Sequence, residues 1–253
     1  MNIAVLIKMV PDTESRLEIV DGKLQESNFK YMVNPYDEFA VEQAVQFKEV
    51  VGGKVTLVSL FTDNNTIDTD LRKMIAIGAD EVIVLRSKDY RGDKPSTNAE
   101  ILAKKVKELS ADLVLCGVQG IDYYQAATGP MIAQKLDIPN ISGVTKLELN
   151  GNIITAHRQM EGGIQVIESQ MPILISCQKD MTKVRFPALK DIMMSKRKPF
   201  ENQTVDYEEK ADIKQIECTL PPARGGGIII EGETSEEKVD KLINILKMEA
   251  KVL

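Results

Sequence analysis

Histidine, tryptophan and closely spaced cysteines are scarce or absent in this 253-residue chain. His157 is the single histidine, so a histidine-based catalytic triad or a multi-histidine metal site cannot form within this chain alone. Tryptophan is absent and aromatic residues make up 5% of the chain, which argues against a stacking platform for nucleic-acid bases. Cys116, Cys177 and Cys218 are odd in number and form no CxxC pair, so neither a disulfide framework nor a zinc site is predicted.

Long apolar runs and excess positive charge are also lacking. No run approaches the roughly 20 apolar residues of a membrane span. A net charge of −6 argues against nucleic-acid binding, which needs a basic surface. The chain enters its first apolar stretch, residues 3–7, without a basic leader. We therefore expect no direct membrane insertion, and a protein of the cytoplasm, or of the mitochondrial matrix if its source is eukaryotic.

Neither standard phosphate-binding motif is present, since no GxGxxG follows the first strand and GxxxxGK[ST] is found nowhere. The best candidate for a phosphate site is the segment 117–130, GVQGIDYYQAATGP, which joins a predicted strand to a predicted helix. Its glycines permit close backbone approach, and free amides at a helix start can hold a phosphate. A plain strand-to-helix loop explains the same composition, so both interpretations stay open.

Strands and helices alternate over the first half of the chain. Apolar runs predict strands at 2–9, 55–61, 81–85 and 114–117, and helical periodicity predicts helices at 34–51, 66–78, 99–109 and 126–136. Asn34 or Asp37 can cap the first helix, and Thr97 the third. This pattern predicts an α/β fold with a mainly parallel sheet flanked by helices, and a ligand at the carboxyl ends of the strands.

The pattern becomes antiparallel after residue 144. Asn150-Gly151 predicts a tight hairpin turn, and Gly162-Gly163 predicts a second one. Residues 200–232 show little periodicity, and their prolines and glycines predict an extended arm before a final amphipathic helix capped by Thr234 or Ser235. We expect two parts, an α/β domain at 1–194 and an arm with its helix at 195–253 that is suited to wrapping a partner.

The segment 157–198 combines basic and apolar side chains. Its apolar residues include Leu189, Ile192, Met193 and Met194. Seven cations accompany them, and we expect all to be exposed: Lys179, Lys183, Arg185, Lys190, Lys196, Arg197 and Lys198. An exposed apolar tip beside cations is more typical of a docking surface than of a catalytic site.

A series of motifs runs through this segment: Glu161-Gly162-Gly163, a strand closing on Pro172, Arg185-Phe186-Pro187-Ala188-Leu189, Ile192-Met193, and Ser195-Lys196-Arg197-Lys198. Their order and spacing resemble the signature of the small (beta) subunit of electron-transferring flavoproteins. The resemblance covers nearly the whole chain and implies an adenine-nucleotide-hydrolase-like (Rossmann-like) fold. It implies an electron carrier rather than an enzyme, paired with an alpha subunit that holds most of a redox-active FAD.

The resemblance also implies ligands and partners. This subunit would bind AMP structurally and would dock acyl-CoA dehydrogenases of fatty acid β-oxidation, whose electrons pass on to a quinone oxidoreductase. The implied adenine pocket consists of Leu6, Lys8, Asn34, Asp37, Val58 and Leu60. The implied phosphate loop consists of Gly117, Gln119, Asp122, Tyr123, Gln125, Ala126, Ala127 and Thr128. Tyr36 would face the flavin, and Leu189 would insert into the dehydrogenase from a recognition loop at 183–194 that also presents Arg185, Lys190, Ile192 and Met193.

Taken singly, these residues have plainer interpretations. Leu6, Val58 and Leu60 are more typical of a core, and Asn34 and Asp37 of helix caps. The plainer interpretation of Leu189 is a loop leucine folded back on its own domain.

Several alternatives remain. An electron-bifurcating member of the same family would hold a second FAD in this subunit instead of AMP and would be reduced by NADH. The loop departs from common family versions at Tyr123-Tyr124 and Ala126-Ala127, which leaves the ligand open. An ATP-binding universal-stress-like regulator, and an amidohydrolase or ligase of the same superfold, rank lower because their glycine-rich triphosphate loop and Ser-Gly-Gly-x-Ser loop are missing.

Overall fold

Strands and helices alternate along the chain in the computed structural model, which describes residues 1–63, 67–209, 215–222 and 226–253. The first half contains β1 (Asn2–Ile7), β2 (Met9–Pro11), β3 (Ile19–Val20), β4 (Lys23–Leu24), β5 (Tyr31–Val33), α1 (Pro35–Val51), β6 (Lys54–Phe61), α2 (Asp68–Ile77), β7 (Glu81–Arg86), α3 (Pro95–Glu108) and β8 (Leu113–Gly117). The second half contains α4 (Thr128–Leu136), β9 (Asn140–Asn150), β10 (Ile153–Met160), β11 (Gly163–Gln170), β12 (Ile173–Cys177), α5 (Leu189–Ser195), β13 (Phe200–Thr204) and α6 (Ser235–Met248).

A nine-stranded sheet organises the molecule, in the order β11-β10-β9-β12-β8-β1-β6-β7-β13. The pairs from β9 through β12, β8, β1, β6 and β7 to β13 are all parallel. The hairpin strands β10 and β11 are added antiparallel to β9. The predicted α/β fold, with a mainly parallel sheet and an antiparallel addition, is therefore confirmed.

The strand order reverses beside β1. The chain moves from β1 outward to β6 and β7, and then returns to place β8 on the other side of β1. In open α/β sheets such a reversal leaves a crevice at the carboxyl ends of the two strands, because their connections leave in opposite directions. The fold thus provides a ligand-sized opening beyond Ile7 and Gly117.

Alternate residues of the central strands face two separate cores. Ile3, Val5 and Leu57 belong to the core that includes residues of α1 and α2. Leu6 and Leu60 belong to the other core, which includes residues of α3 and α4. Because these strands are covered on both faces, their sequences are continuous apolar runs, and this is why they were predictable as buried strands.

Two features differ from the sequence prediction around residue 200. The segment Phe200–Thr204 is a strand, β13, that pairs in parallel with β7 at the sheet edge. The predicted boundary at 194 is therefore too early, because the compact unit that holds the sheet comprises Met1–Glu18 and Gln25–Ile216. The sequence Phe-Glu-Asn-Gln-Thr is mostly polar, as suits an edge strand with exposed side chains, so it showed no apolar pattern.

A second compact unit contains Ile19–Leu24 and Glu217–Leu253. It holds the β3–β4 hairpin and α6, whose first-turn amide at Glu237 donates to the Thr234 hydroxyl as predicted. The first residue of the helix predicted at 66–78, and residues 210–214 and 223–225 of the predicted arm, lie outside the described residues. None of the helices within the described ranges is both long and apolar enough to cross a membrane.

Two other boundaries, the start of α3 and the β9–β10 turn, differ from those predicted. Helix α3 begins at Pro95 rather than near Ala99, because proline is favoured at the first helical position, so Thr97 lies inside the helix and is not its cap. The β9–β10 turn lies at Gly151 and Asn152, one residue later than predicted, and of these two only Gly151 has a positive φ.

A buried carboxylate holds the strand ends beside the reversal. Asp37, in the first turn of α1, accepts hydrogen bonds from the backbone amides of Lys8 and Gly117, each at 2.7 Å. Lys8 follows β1 and Gly117 ends β8, so one side chain sets the spacing of both strand ends. Burial raises the pKa of Asp37 to about 7, although the two amide hydrogen bonds favour its charged form.

The end of α2 depends on close packing at a glycine. Gly78 has φ +146°, and a Cβ there would lie 2.6 Å from Cγ1 of Val45 on α1, whereas a Cβ at Gly151, with φ +60°, would meet nothing within 4 Å. We expect Gly78→Ala to lower the free energy of unfolding by about 2–3 kcal/mol and Gly151→Ala by about 1 kcal/mol. Urea titration measures both losses, and equal losses would contradict a packing role for Gly78.

Asp37 gives the stability a defined pH dependence. Unfolded aspartate releases its proton near pH 3.9, whereas folded Asp37 holds it to about pH 7. Its contribution is therefore fully present below about pH 4 and is lost as the pH rises toward 7. We expect the unfolding free energy to fall more steeply between about pH 5 and 7 in the native protein than in Asp37→Asn. Parallel pH profiles in urea titrations would show that Asp37 does not titrate as described.

Candidate functional site

A cleft opens beyond the carboxyl ends of β1 and β8, and its empty space, including the part open to solvent, is about 750 Å³. This is the position that the reversal of strand order predicts for a ligand. The cleft brings together residues from β1, β6, β8, α1 and α3 with the loop 118–127 and the start of α4.

Nearly all the residues predicted to bind a nucleotide meet in this cleft. Those lining it are Leu6, Lys8, Asn34, Asp37, Leu60, Gly117, Gln119, Asp122, Tyr123, Gln125, Ala126, Ala127 and Thr128. Val58 does not line it, because its side chain is fully buried in the core on the α3–α4 face. Tyr36 does not line it either, since it packs behind Gly117, where an added Cβ would lie 2.5 Å from the Tyr36 Cβ.

Asn34 and Asp37 act at longer range than the cap interpretation allows. Asn34 occupies the position before α1, but its side chain makes no capping hydrogen bond. Its amide instead donates to the Gln119 carbonyl at 2.9 Å, and its oxygen accepts from the Ile121 amide at 3.3 Å. Together with Asp37, Asn34 ties the start of α1 to the loop that follows β8, so the cap interpretation of both residues is wrong.

The floor of the cleft is apolar and its mouth is polar. Leu6, Leu60, Leu102 and Ile132 supply apolar surface from two strands and two helices. Burial raises the pKa of the Cys116 thiol, which also lines the cleft, so its sulfur is protonated at neutral pH and packs rather than reacts. A ligand with a flat apolar part and a polar or anionic part matches this division.

Lys8 joins three segments at the mouth. Its ammonium lies 2.7 Å from Oδ2 of Asp122 and donates to the Gly92 carbonyl at 3.2 Å. It also lies 5.1 Å from the centre of the Tyr123 ring, within cation–π range. The end of β1, the loop before α3 and the loop after β8 are thereby held around one charge, and Asp122 neutralises that charge.

The backbone before α4 is arranged to receive an anion. Ala126 has φ +50° and Ala127 is right-handed, with φ −103° and ψ −32°. Adjacent residues of opposite hand point successive amides into one concavity, which is an anion-binding nest. Helix α4 begins at Thr128, so first-turn amides that cannot pair within the helix add to the same positive end.

The wall contributed by α3 and the loop before it was not predicted from the sequence. Tyr90, Gly92, Asn98 and Leu102 all line the cleft. Asn98 donates to the Arg91 carbonyl at 3.0 Å and accepts from the Tyr207 hydroxyl at 2.9 Å. No short motif marks these residues, although a buried asparagine within a helix is a signal that a polar side chain has a distant partner.

A second candidate surface is an exposed apolar patch formed by Phe186, Leu189, Ile192, Met193 and Met194. Phe186 is 96% exposed, Leu189 74% and Met193 64%, which is unusual for side chains of this size. Lys190 is exposed beside them, as expected. Phe186 was part of the recognised motif but had not been singled out for docking.

Two of the seven cations in this segment are not free, contrary to the prediction. Arg185 is paired with the carboxylates of Glu42 and Glu49. Lys198 donates to the Ala79 carbonyl at 2.6 Å. The cations left exposed are Lys179, Lys183, Lys190, Lys196 and Arg197.

Comparison with known proteins gives a consistent result. A family model described as "Electron transfer flavoprotein domain" matches residues 21–207. The electron transfer flavoprotein subunit beta of Bacillus subtilis is 36% identical over 261 residues and covers 100% of both chains. That of Thermoanaerobacterium thermosaccharolyticum is 37% identical over 247 residues, 93% of this chain and 94% of the relative.

A relative with a different printed name is also similar. The Caffeyl-CoA reductase-Etf complex subunit CarD of Acetobacterium woodii is 33% identical over 263 residues, with 98% of each chain covered. The family match spans most of the chain, and the two relatives named as beta subunits align over nearly its whole length. This chain therefore belongs to the electron transfer flavoprotein family, among its beta subunits.

Proposed function

We propose that this chain forms a heterodimer with an alpha subunit and carries electrons from acyl-CoA dehydrogenases of fatty acid β-oxidation to a quinone oxidoreductase in the cytoplasm. The redox chemistry is supplied by an FAD that the alpha subunit mainly holds. This chain contributes a docking surface, a structural nucleotide site and an arm. It is a carrier subunit rather than an enzyme.

The exposed apolar patch is the observation that carries this proposal. A large apolar surface exposed to water has a free-energy cost unless a partner covers it. Leu189 and Phe186 can enter pockets on a dehydrogenase, while Lys190 and the neighbouring cations steer the encounter with an acidic surface. Docking and release fit a carrier that must exchange partners.

The cleft fits AMP. The apolar floor at Leu6, Leu60 and Leu102 offers surface for the adenine, and the nest at Ala126 and Ala127 offers amides for the phosphate. Lys8 is neutralised by Asp122, so the site provides peptide dipoles rather than free cations. Such a site suits one phosphate better than the charge of a triphosphate.

The second unit supplies the arm that we propose to hold the alpha subunit. Helix α6 contains no buried residue, and Val239, Leu242 and Ile243 are exposed at helical spacing on it. A helix that is polar on every face is stable in water, whereas a helix with an apolar stripe of this kind is stabilised when a partner buries the stripe. The alpha subunit is the partner that we assign to it.

The bifurcating form is the second candidate. The relative from Acetobacterium woodii is named as a subunit of a caffeyl-CoA reductase complex. In that form the cleft of this chain would hold a second FAD instead of AMP and would accept electrons from NADH. The exposure of Tyr123 and Tyr124 beside the cleft is compatible with a longer dinucleotide.

A pair of isosteric variants tests the phosphate site. Asp and Asn both tolerate the left-handed conformation of Ala126, so Ala126→Asp and Ala126→Asn differ chiefly in one negative charge. The chain is co-purified with its alpha subunit, and FAD and AMP are extracted with acid and quantified. We expect a single FAD and about one AMP in the native heterodimer, at least a tenfold weaker hold on AMP in Ala126→Asp, and near-native AMP in Ala126→Asn.

Each other outcome has a defined meaning. Two FAD and no AMP would replace the first proposal by the bifurcating one. Equal amounts of AMP in both variants would show that the phosphate does not bind at the Ala126 nest. Absence of flavin, with ATP retained by this chain alone, would overturn the carrier function.

Two exposed leucines provide a matched test of docking. Leu189 belongs to the exposed apolar patch, whereas Leu17, 51% exposed, lies elsewhere in the sequence. We expect Leu189→Ala to raise the apparent KM for a reduced bacterial short-chain acyl-CoA dehydrogenase about tenfold, as the loss of a buried anchor does. Leu17→Ala should leave it unchanged, and both heterodimers should keep their FAD. Equal KM values for Leu189→Ala and the native protein would reject the docking role.

A further inference from the structure

The exposed apolar patch lies on a segment whose two ends are fastened to the body of the sheet-containing unit. The first fastening is at Arg185, directly before Phe186. Its Nε donates to Glu42 at 2.9 Å, and its Nη1 donates to Glu49 at 2.6 Å. Its Nη2 donates to both carboxylates, at 2.9 and 3.0 Å. All three guanidinium nitrogens are therefore engaged within the chain.

The two acceptors, Glu42 and Glu49, lie on one face of α1 together with Gln46. Glu42, Gln46 and Glu49 are four and three residues apart, so they lie on the same face of the helix. Gln46 donates to both the Glu42 carboxylate at 2.9 Å and the Thr182 hydroxyl at 2.8 Å. This face of α1 thus holds the chain at Thr182 and again at Arg185.

Glu42 makes this fastening specific. Its side chain is 2% exposed, while that of Glu49 is 52% exposed. A buried carboxylate without its cation is strongly unfavourable, so Arg185 cannot leave Glu42 to meet an external partner at low cost. Lysine could not replace it fully, because only a planar guanidinium spans two carboxylates.

The second fastening lies at the end of α5. Arg72 on α2 donates to the Ser195 carbonyl at 3.1 Å. The same guanidinium lies 4.7 Å from the centre of the Phe200 ring. Lys198 donates to the Ala79 carbonyl at 2.6 Å. The exposed apolar patch is thus displayed between two anchored points.

We infer that Arg185 is a positioning residue for docking: its pairing with Glu42 and Glu49 holds Phe186 and Leu189 in the conformation that a dehydrogenase accepts. This inference rests on the docking role proposed above. Holding a loop in its bound conformation lowers the entropic cost of association, so affinity depends on the clamp although the clamp touches no partner. Arg185 therefore acts through Leu189 rather than as a steering charge.

A double-mutant cycle between Arg185 and Leu189 tests the inference on the intact heterodimer. The readout is the apparent KM and kcat for a bacterial short-chain acyl-CoA dehydrogenase reduced with its acyl-CoA substrate. Residues that act through one another give non-additive effects. We expect Arg185→Gln to raise KM about tenfold when Leu189 is present and less than about twofold in the Leu189→Ala background, with kcat unchanged at saturating dehydrogenase.

Two further variants separate position from charge. Lys179→Gln removes an exposed cation that lies just before the anchored segment 185–198, and we expect its KM to change less than about twofold. Arg185→Lys keeps the charge but not the double pairing, and we expect an intermediate KM. If Arg185→Lys equals the native protein, or Lys179→Gln equals Arg185→Gln, charge alone explains the effect and the inference is overturned.

The results also distinguish the inference from the function on which it rests. No change in Leu189→Ala would reject docking itself. A raised KM in Leu189→Ala with a native KM in Arg185→Gln, or the same increase in both backgrounds, would reject only the positioning role. Should Arg185→Gln lose its FAD or fail to fold, Glu49→Gln replaces it, since that variant opens the exposed half of the clamp and leaves the buried Glu42 pair intact.

The exchange rate of backbone amide hydrogens gives an independent measure of how well the clamp orders the exposed apolar patch. We expect amides in residues 186–194 to exchange faster in Glu49→Gln than in Lys179→Gln, because the anchored end is loosened only in the first variant. Equal exchange rates would show that the clamp does not order the patch and would overturn the inference.

Discussion

The hydrogen bonds accepted by Asp37 are the constraint on which the candidate site depends. A single carboxylate receives the amides of Lys8 and Gly117, and so fixes the ends of β1 and β8 against the start of α1. The approach is close enough that a Cβ at Gly117 would lie 2.4 Å from the Asp37 oxygen. The carboxylate leaves no room for a side chain at position 117, which therefore requires glycine. The close approach of these two residues in turn shapes the opening of the cleft.

Helix α1 supports both candidate surfaces. Its first turn holds the cleft through Asn34 and Asp37, and its later turns hold the exposed apolar patch through Glu42 and Glu49. Asp37 and Glu49 are about 18 Å apart along a helix that rises about 1.5 Å per residue. The candidate nucleotide site and the surface proposed for docking are therefore both positioned by α1.

The elements that could be predicted from the sequence are those with a clear local pattern. The strands β1, β6, β7 and β8 were predictable because burial on both faces makes them apolar throughout. The candidate phosphate loop could be singled out because glycines and a predicted helix start lie together in the sequence. Strand β13 was missed because an exposed edge permits polar residues.

Pairings between distant residues escaped prediction for a different reason. Asn34 and Asp37 look like caps when only their neighbours are considered, yet their partners, Gln119 and Gly117, lie 85 and 80 residues away. Arg185 looks like an exposed cation until Glu42, 143 residues earlier, is placed beside it. Sequence periodicity carries no record of such partners, since each pair joins residues that are neighbours only in the folded chain.

The ion pair at the mouth of the cleft has a consequence for how an anion would be recognised there. Lys8 is matched by Asp122, so an anion at Ala126 and Ala127 would meet oriented peptide groups and no net positive charge. Dipoles at contact distance are screened little by dissolved ions, whereas the field of an isolated cation is screened over about 8 Å at physiological salt. Affinity would then vary little with ionic strength, and the site would select its ligand by shape.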